Sequence, residues 1–329
     1  MGFSEITGHQ KQLETLRLAS AKRRLHHAYL FVGPEGVGKK RIALCLAKAI
    51  HCSEANGDFC GRCSDCARIQ DGNHPDVRII EPLSGKKEIS IQQVRDIEKS
   101  LNFRSFSGKE KIVILDPATL LNLPAQNALL KTLEEPPQDS LLILIAPNAG
   151  GLLPTLRSRC LRIAFAPLPR ELVSEFLVSN GGMKAEEAEF LAAIAVGSLG
   201  TAVKIQKEEL LEKRRSWIGL ISNVCAGGYR AAADAAETLA SNREESLRFL
   251  EWAESWYRDL LVYSVTRSPR DLVNLDMMSQ IQQQSAGTNV EHLLSTISQT
   301  ASAVGRIHRN LNRRMVLESL LFGVVEAGE

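Results

Sequence analysis

The segment GPEGVGKK, residues 33–40, constrains the fold most, because it follows an apolar run and leads directly into a helical pattern. It matches G-x-x-x-x-G-K in the strand–loop–helix context of a phosphate-binding loop. Gly33, Gly36 and Gly38 allow backbone N–H groups to converge on phosphate oxygens at the start of a helix. Lys39 supplies a point charge for the β- and γ-phosphates. The segment therefore predicts an α/β domain with a nucleotide-type site.

One deviation in this motif argues against ATP hydrolysis by the chain itself. The residue after the motif lysine is Lys40, where a Ser or Thr hydroxyl would bind Mg²⁺. An ammonium group cannot ligate a cation and repels it. Asp116 ends a predicted strand and either holds Mg²⁺ through water or merely ends the strand. We therefore expect no hydrolysis, while binding of ATP or ADP to the loop stays open.

Five short apolar runs in the first half of the chain are predicted to form strands. Because they are largely apolar instead of strictly alternating, they indicate a parallel sheet covered by helices on both faces. The predicted strands are Ala28–Val32, Asp76–Ile80, Lys111–Leu115, Leu141–Ala146 and Leu161–Phe165. The accompanying helices are predicted at Thr7–Arg23, Lys39–Ile50, Ile91–Leu101 and Ala125–Leu133. Ser90 and Gln93 form a predicted capping box, and Pro136 and Pro137 stop the fourth helix.

The composition changes at APLPR, residues 166–170, where two prolines form a short stiff linker and no convincing strand follows. A small helical unit is predicted beyond it, interrupted at Gly181–Gly182 and at Gly197. From Lys207 onward the chain is amphipathic and rich in Leu and Ala, which predicts helices throughout. The predicted domains are an α/β domain at 1–166, a small helical domain at 167–206 and an all-helical domain at 207–329.

The charge balance is close to neutral, since 40 Lys and Arg face 38 Asp and Glu in a chain of 329 residues. This argues against a broad nucleic-acid-binding surface, so any DNA contact must come from a local patch. No run approaches the ~20 apolar residues of a membrane span. MGFSEITGHQ lacks the features of a secretory signal, so we expect a cytoplasmic protein. Five basic residues are expected to be solvated, with phosphate contacts in an assembly as the weaker alternative: Lys86, Lys87, Arg104, Lys109 and Lys111.

Four cysteines have the spacing C-x7-C-x2-C-x2-C: Cys52, Cys60, Cys63 and Cys66. In a reducing compartment such clustering indicates metal binding rather than disulfides. Four thiolates suit a closed tetrahedral zinc site of the structural type. An iron–sulfur cluster and plain buried cysteines are the alternatives. His51, beside this cluster, is expected to be a bystander.

Several other residues are predicted to serve packing alone. Cys45 lies in the middle of a predicted helix and is assigned to a core, and Cys225 is expected to pack in the helical domain. Trp252 and Trp256 have i, i+4 spacing, with Tyr257 beside them. This aromatic group is predicted to lie in a core or a subunit interface rather than to stack on bases.

Three segments together resemble the gamma/tau and delta-prime subunits of the bacterial sliding-clamp loader, which are AAA+ proteins: HHAYLFVGPEGVGKKRIALCLAKAI, NALLKTLEEPP and LRSRC. NALLKTLEEPP, residues 127–137, is highly specific to that family. The resemblance covers the predicted α/β domain tightly and extends more loosely through GSL, residues 197–199, to RNLNRR, residues 309–314. It implies an AAA+ domain, a helical lid and a helical collar through which the subunit assembles.

Within this family the chain resembles the non-motor, delta-prime branch. Motor subunits have Thr where this chain has Lys40, and Glu where it has Pro117. Their sensor 1 hydroxyl falls near Pro147, and their sensor 2 arginine falls at Gly200. Loss of these groups together should disable phosphoryl transfer. Two rivals stay open: an active gamma-type motor with compensated motifs, and a zinc-dependent DNA-binding protein that reuses the fold.

The resemblance also implies a set of functional groups and partners. Arg159, in the tripeptide Ser158–Arg159–Cys160, matches the arginine finger that reaches the γ-phosphate of a neighbouring subunit. From the residues alone, a salt bridge on a surface loop is the alternative. A four-cysteine module with a structural Zn²⁺ is implied at about residues 51–68. The implied partners are gamma/tau and delta subunits, the β sliding clamp indirectly and primed DNA through the assembled complex, without a membrane.

Overall fold

The computed structural model describes residues 2–54, 57–207, 210–286 and 289–326. Parts of the predicted domains lie outside these ranges: residue 1, residues 55–56 of the predicted zinc module, and residues 208–209, 287–288 and 327–329. The chain divides into two compact units. The first contains Met1–Phe176 and Val196–Thr201, and the second contains Leu177–Ala195 and Ala202–Glu329. The division into three domains stays a prediction.

The strands of the first unit form one sheet. They are β1 (Ala28–Val32), β2 (Val77–Ile80), β3 (Lys111–Leu115), β4 (Ser140–Ala146) and β5 (Leu161–Ala164). Their order is β2-β3-β4-β1-β5, and every neighbouring pair is parallel. Phe31 of β1 lies opposite Ile145 of β4 and Ile163 of β5. The predicted parallel sheet is therefore confirmed.

Within the described residues, six helices belong wholly to the first unit. They are α1 (Gln10–Ala21), α2 (Lys39–His51), α3 (Ser64–Gln70), α4 (Ile91–Leu101), α5 (Leu123–Glu134) and α6 (Pro154–Arg157). The predicted capping box of α4 is present, since Ser90 accepts from the Gln93 backbone and Gln93 reaches back. Helix α1 begins later than predicted, because Gly8 and His9 have positive φ angles of 78° and 57°. Left-handed backbone cannot continue into a right-handed helix.

Helices cover both faces of the sheet. Successive side chains of a strand point to opposite faces, so each strand contributes to the core on both sides. On one side, Phe31 and Ile143 share a buried cluster with residues of α1, α2 and α3. On the other, Leu30 and Leu144 share a buried cluster with residues of α4 and α5. This explains why the central strands β1 and β4 are almost wholly apolar, as parallel strands between two helical layers are expected to be.

The remaining helices are α7 (Arg170–Gly181), α8 (Ala185–Ile194), α9 (Leu199–Lys207), α10 (Leu210–Ala240), α11 (Arg243–Thr266), α12 (Met278–Ser285), α13 (Val290–His308) and α14 (Arg313–Glu326). Helix α10 is kinked at Gly228, whose φ of 64° and ψ of −155° are not helical. Short 3-10 turns occupy Phe3–Glu5, Ala118–Leu120 and Leu275–Met277. Among the described residues, no helix has the length and apolarity needed to cross a bilayer.

The aromatic group of α11 lies in the core of the second unit. Trp252, Trp256 and Tyr257 are all buried, and the two tryptophan rings stack with centroids 5.9 Å apart. This confirms the core interpretation. Cys45 is also buried, as predicted, but Cys225 is exposed. The prediction for Cys225 is wrong because Val224, its neighbour on α10, takes the inward position.

Arg214 of α10 is fully buried and joins three parts of the second unit. Its guanidinium donates two hydrogen bonds to the Asp276 carboxylate, at 3.0 and 3.1 Å. It donates a third to the side-chain oxygen of Asn274 at 2.9 Å. The guanidinium carbon lies 3.2 Å from the centre of the Phe190 ring on α8. A buried charge is tolerated here because it is paired and hydrogen-bonded on several sides.

We expect Arg214→Ala to destabilise the second unit by about 3–5 kcal/mol, because it leaves the Asp276 carboxylate buried without its partner. Denaturant unfolding followed by tryptophan fluorescence measures this, since all three tryptophans lie in the second unit. Arg215→Ala is the matched control, because the Arg215 side chain is 63% exposed in its pair with Glu187. Arg215→Ala should lower the free energy of unfolding by less than about 1 kcal/mol. Equal losses in the two variants would contradict the assigned role of Arg214.

Candidate functional site

A cavity of about 390 Å³ opens where β1, β3 and β4 end, the edge at which parallel sheets bind ligands. The loop after β1 contributes several of the predicted residues, and the loops after β3 and β4 contribute Asp116, Pro117 and Pro147. The lining residues are Glu35, Gly36, Gly38, Lys39, Lys40, Arg41, Glu81, Asp116, Pro117, Ile145 and Pro147. Gly33 precedes these loop residues and packs closely against the backbone of Phe165. A Cβ added at Gly33 would lie 2.1 Å from the Phe165 carbonyl oxygen. The structure therefore brings Gly36, Gly38, Lys39, Lys40 and Asp116 together around one cavity, and their role in binding phosphate stays a prediction.

Lys39 is buried, and its ammonium group is satisfied by the loop itself. Its Nζ donates to the Gly33 carbonyl oxygen and, at 2.6 Å, to the Pro34 carbonyl oxygen. Burial lowers the pKa of Lys39, while the charge of Asp116 acts in the opposite direction. A phosphate would have to attract the ammonium away from these carbonyls. The loop therefore satisfies two of the three donors of the Lys39 ammonium group through its own carbonyl oxygens.

Lys40 forms an ion pair with Glu81, with Nζ and Oε1 2.5 Å apart. Burial raises the pKa of the nearby Asp116 carboxyl, and the positive charge of Lys40 opposes that rise. Lys40 and Asp116 line the same cavity. An ammonium group thus supplies positive charge in the region where an active site would hold Mg²⁺. Glu81 was not recognised from the sequence, because it lies 41 residues from Lys40.

Gly200, which the family resemblance places at the sensor 2 position, packs directly on the loop that contains Gly36. Its N–H donates to the Gly36 carbonyl oxygen at 2.8 Å. A Cβ at Gly200 would lie 2.9 Å from the Gly36 Cα, and a Cβ at Gly36 would lie 2.2 Å from the Ser198 hydroxyl. Any side chain at Gly200 would therefore displace the loop. Both segments belong to the first unit.

Arg159 lies outside this cavity, after the short helix α6. Its Nη2 forms an ion pair with Glu134 Oε1 at 2.6 Å. Its Nη1 donates to the Thr155 carbonyl oxygen at 2.8 Å, and the Ser158 hydroxyl lies 3.5 Å away. The side chain is 35% exposed. The arginine is therefore both oriented and accessible. Cys160, which follows it, is partly buried.

The four predicted cysteine ligands converge, with their sulfur atoms all within 4.8 Å of one another. Cys52, Cys63 and Cys66 are buried, and Cys60 is partly exposed. Backbone N–H groups of Cys60 and Cys63 donate to the sulfurs of Cys52 and Cys60, each at 3.3 Å. Burial alone would raise the pKa of Cys63, but hydrogen bonds from Cys66 and Ser53 lower it to about 6. Such a donor set fits a tetrahedral, thiolate-bound zinc ion.

A buried polar network lies next to the cysteine cluster and was not predicted. The rings of His51 and His74 are in contact, with centroids 4.4 Å apart and planes tilted by 53°, and Asp76 completes the group. Asp76 accepts hydrogen bonds from the backbone of Phe106 and from the backbone and hydroxyl of Ser107. Burial lowers the pKa of His51 to about 4, so the ring is neutral at pH 7. The network fixes the loop before β3. The expectation that His51 is not a zinc ligand stays a prediction.

Two of the five basic residues that were expected to be solvated donate hydrogen bonds within the protein instead. Lys109 Nζ donates to the carbonyl oxygens of His51 and Cys52, at 3.0 and 3.2 Å. Lys111 Nζ donates to the Ser100 carbonyl oxygen at 2.5 Å. Lys86 and Lys87 are exposed, as is Arg104. For the latter three, solvation or contact with phosphates stays a prediction.

The chain is similar to known proteins along most of its length. The family model described as DNA polymerase III, delta subunit, matches residues 8–169, and that for the C-terminal part of the delta subunit matches residues 208–325. DNA polymerase III subunit delta′ of Pseudomonas aeruginosa is 33% identical over 302 residues, 90% of this chain and 90% of that protein. Subunit tau of Bacillus subtilis is 28% identical over 284 residues, 79% of this chain and 50% of tau. A solved gamma subunit-related protein of Thermotoga maritima is 20% identical, with 97% of this chain and 100% of that chain covered and a TM-score of 0.42.

Proposed function

Because the chain belongs to the family of DNA polymerase III delta′ subunits, we propose that it is the non-motor subunit of a clamp-loader complex. In this role it helps to load the β sliding clamp onto primed DNA and offers Arg159 to the ATP site of a neighbouring subunit. One observation carries the proposal: at and beside the cavity, four positions lack the groups that phosphoryl transfer needs. They are Lys40, Pro117, Pro147 and Gly200.

The working cycle that we propose uses partners for the chemistry. The helical collar joins gamma/tau and delta subunits, while the AAA+ domain stays comparatively rigid. ATP binding by the motor subunits lets the ring open the clamp and grip primed DNA, and hydrolysis releases the clamp. Such a cycle requires no ATP turnover in the cavity of this chain. It requires only that Arg159 reach the γ-phosphate held by the next subunit, where an arginine finger in trans stabilises the transition state.

We further propose a structural Zn²⁺ held by Cys52, Cys60, Cys63 and Cys66. The convergence of their sulfur atoms supports this assignment. A four-thiolate site leaves no open coordination position, so the ion would stabilise the fold and take no part in hydrolysis. Its place in the chain, directly after α2, would brace the C-terminal end of the helix that begins at the phosphate loop.

Restoring the missing hydroxyl alone should not create an ATPase. We expect Lys40→Thr to leave hydrolysis by the isolated chain at the background rate with Mg²⁺ and ATP present. Pro117 and Pro147 would still lack a water-positioning carboxylate and a sensor hydroxyl. Phosphate release measures the rate, with Lys40→Ala as the control for loss of the Glu81 ion pair. Motor-like turnover by Lys40→Thr would mean that other residues supply the functions missing at Pro117 and Pro147. That result would favour the active-motor alternative.

Reconstitution tests the proposed role as a whole. Purified gamma and delta subunits, with and without this chain, are compared by size-exclusion chromatography and by loading of labelled β clamp onto primed DNA. We expect the chain to enter a stable complex and to be required for loading. A chain that neither co-elutes with the partners nor changes clamp loading would overturn the proposal. Tight, salt-sensitive DNA binding by the isolated chain would favour the DNA-binding alternative instead.

A further inference from the structure

Resting on the proposed function, we propose that Glu134 is a positioning residue for Arg159. Its carboxylate holds the guanidinium in the pose from which the arginine reaches a neighbouring subunit's phosphate. Glu134 is the last residue of α5 and belongs to the segment NALLKTLEEPP, whose role the proposed cycle leaves unassigned. This segment and the LRSRC segment thus meet in the ion pair between Glu134 and Arg159.

The contacts of Arg159 fix its guanidinium from two sides. Glu134 accepts from Nη2 at 2.6 Å, and the Thr155 carbonyl oxygen accepts from Nη1 at 2.8 Å. A guanidinium is planar and carries five N–H donors in a rigid fork, so two such contacts define its plane. The remaining donors are left for an incoming anion. Because the arginine is 35% exposed, these donors can meet a ligand that another subunit holds.

A purely structural role explains this ion pair poorly. The Glu134 side chain is 52% exposed, and an ion pair at such a surface adds little to folding stability. The pair instead restricts the conformation of Arg159, because an unpaired arginine side chain samples many rotamers. If the side chain is already held in one reactive pose, its conformational entropy is not lost when the transition state forms. A phosphate approaching the free donors then completes the coordination without breaking the bond to Glu134.

The adjacent residue offers a matched control. Glu135 has the same chemistry, is exposed, and shows no ion pair with Arg159 among the contacts of the described residues. Two prolines follow it and fix the direction of the chain after the helix. Glu134→Gln and Glu135→Gln therefore remove the same charge one residue apart. They differ in whether the Arg159 guanidinium loses its carboxylate.

The test uses the complex of gamma, delta and this chain, with β clamp and primed DNA, and measures steady-state ATP hydrolysis. We expect Glu134→Gln to lower kcat about three- to tenfold with KM for ATP unchanged, and Glu135→Gln to match the wild-type chain. In an Arg159→Ala background, Glu134→Gln should cause no further loss, since Glu134 acts only through the arginine. Size-exclusion chromatography confirms that each variant enters the complex.

The outcomes separate this inference from the proposed function. If Arg159→Ala depresses hydrolysis but Glu134→Gln does not, or if the two losses add, Glu134 is no positioning residue and the function stands. If Glu134→Gln raises the rate, the carboxylate restrains the arginine and the inference is wrong in sign. If Arg159→Ala itself leaves the rate unchanged, the proposed finger and the role of Glu134 both fall.

Discussion

Replacing Arg159 with alanine is expected to lower ATP hydrolysis at the neighbouring site it serves by about 10³-fold or more, while the complex still assembles. An arginine that neutralises charge on the transferred phosphoryl group is worth about 10³–10⁵ in rate. Arg159 is oriented by Glu134 and Thr155 and remains 35% exposed, which leaves it accessible to a ligand that another subunit holds. Clamp- and primed-DNA-stimulated phosphate release by the reconstituted complex measures the effect.

Two controls distinguish the finger from a general surface charge. Arg162→Ala removes an exposed arginine of β5 and should leave the rate unchanged. Arg159→Lys keeps the charge but loses the planar fork, so most of the rate should stay lost. A complex that hydrolyses ATP normally with Arg159→Ala would show that the arginine serves only its ion pair with Glu134.

Removal of the proposed zinc ion has the second large expected effect. The wild-type chain should purify with about one zinc per molecule, and Cys66→Ser should retain almost none, since structural zinc sites need all four ligands. Because Cys66 is fully buried, the loss should also lower the unfolding temperature of the first unit by several degrees or more. Metal analysis and thermal unfolding measure the two consequences, and a strong chelator should reproduce the second in the wild-type chain.

Cys225→Ser is the matched control, because Cys225 is an exposed cysteine on α10, remote in sequence from the cluster. It should keep both the zinc content and the unfolding temperature of the wild-type chain. A wild-type protein without metal would favour plain buried cysteines. Iron with acid-labile sulfide in place of zinc would favour the cluster alternative.

The sheet could be predicted from the sequence because its determinants are local. Buried parallel strands need continuous apolar runs, and the five runs of the first half coincide with β1 to β5 to within about one residue. The capping box at Ser90 is local in the same sense, since both of its hydrogen bonds join residues three apart. Helix α1 was predicted too long because the left-handed backbone at His9 is not visible in an apolar pattern.

The contacts that decide the behaviour of the site could not be predicted, because they join distant residues. Lys40 was recognised as a poor metal ligand, but its pairing with Glu81 depends on how β2 lies in the sheet. Glu134 and Arg159 are both in segments that resemble the family, yet nothing in their spacing shows that they touch. The burial of His74 and Asp76 beside the cysteine cluster likewise follows from the packing of the fold.

We propose that this chain assists ATP hydrolysis by its neighbours without performing it. Steady-state hydrolysis is followed for the isolated chain and for gamma plus delta with and without the chain, in the presence of clamp and primed DNA. We predict that the isolated chain is silent and that its addition to gamma plus delta raises the stimulated rate. Motor-like turnover by the isolated chain would contradict the assignment and identify it as an active motor subunit.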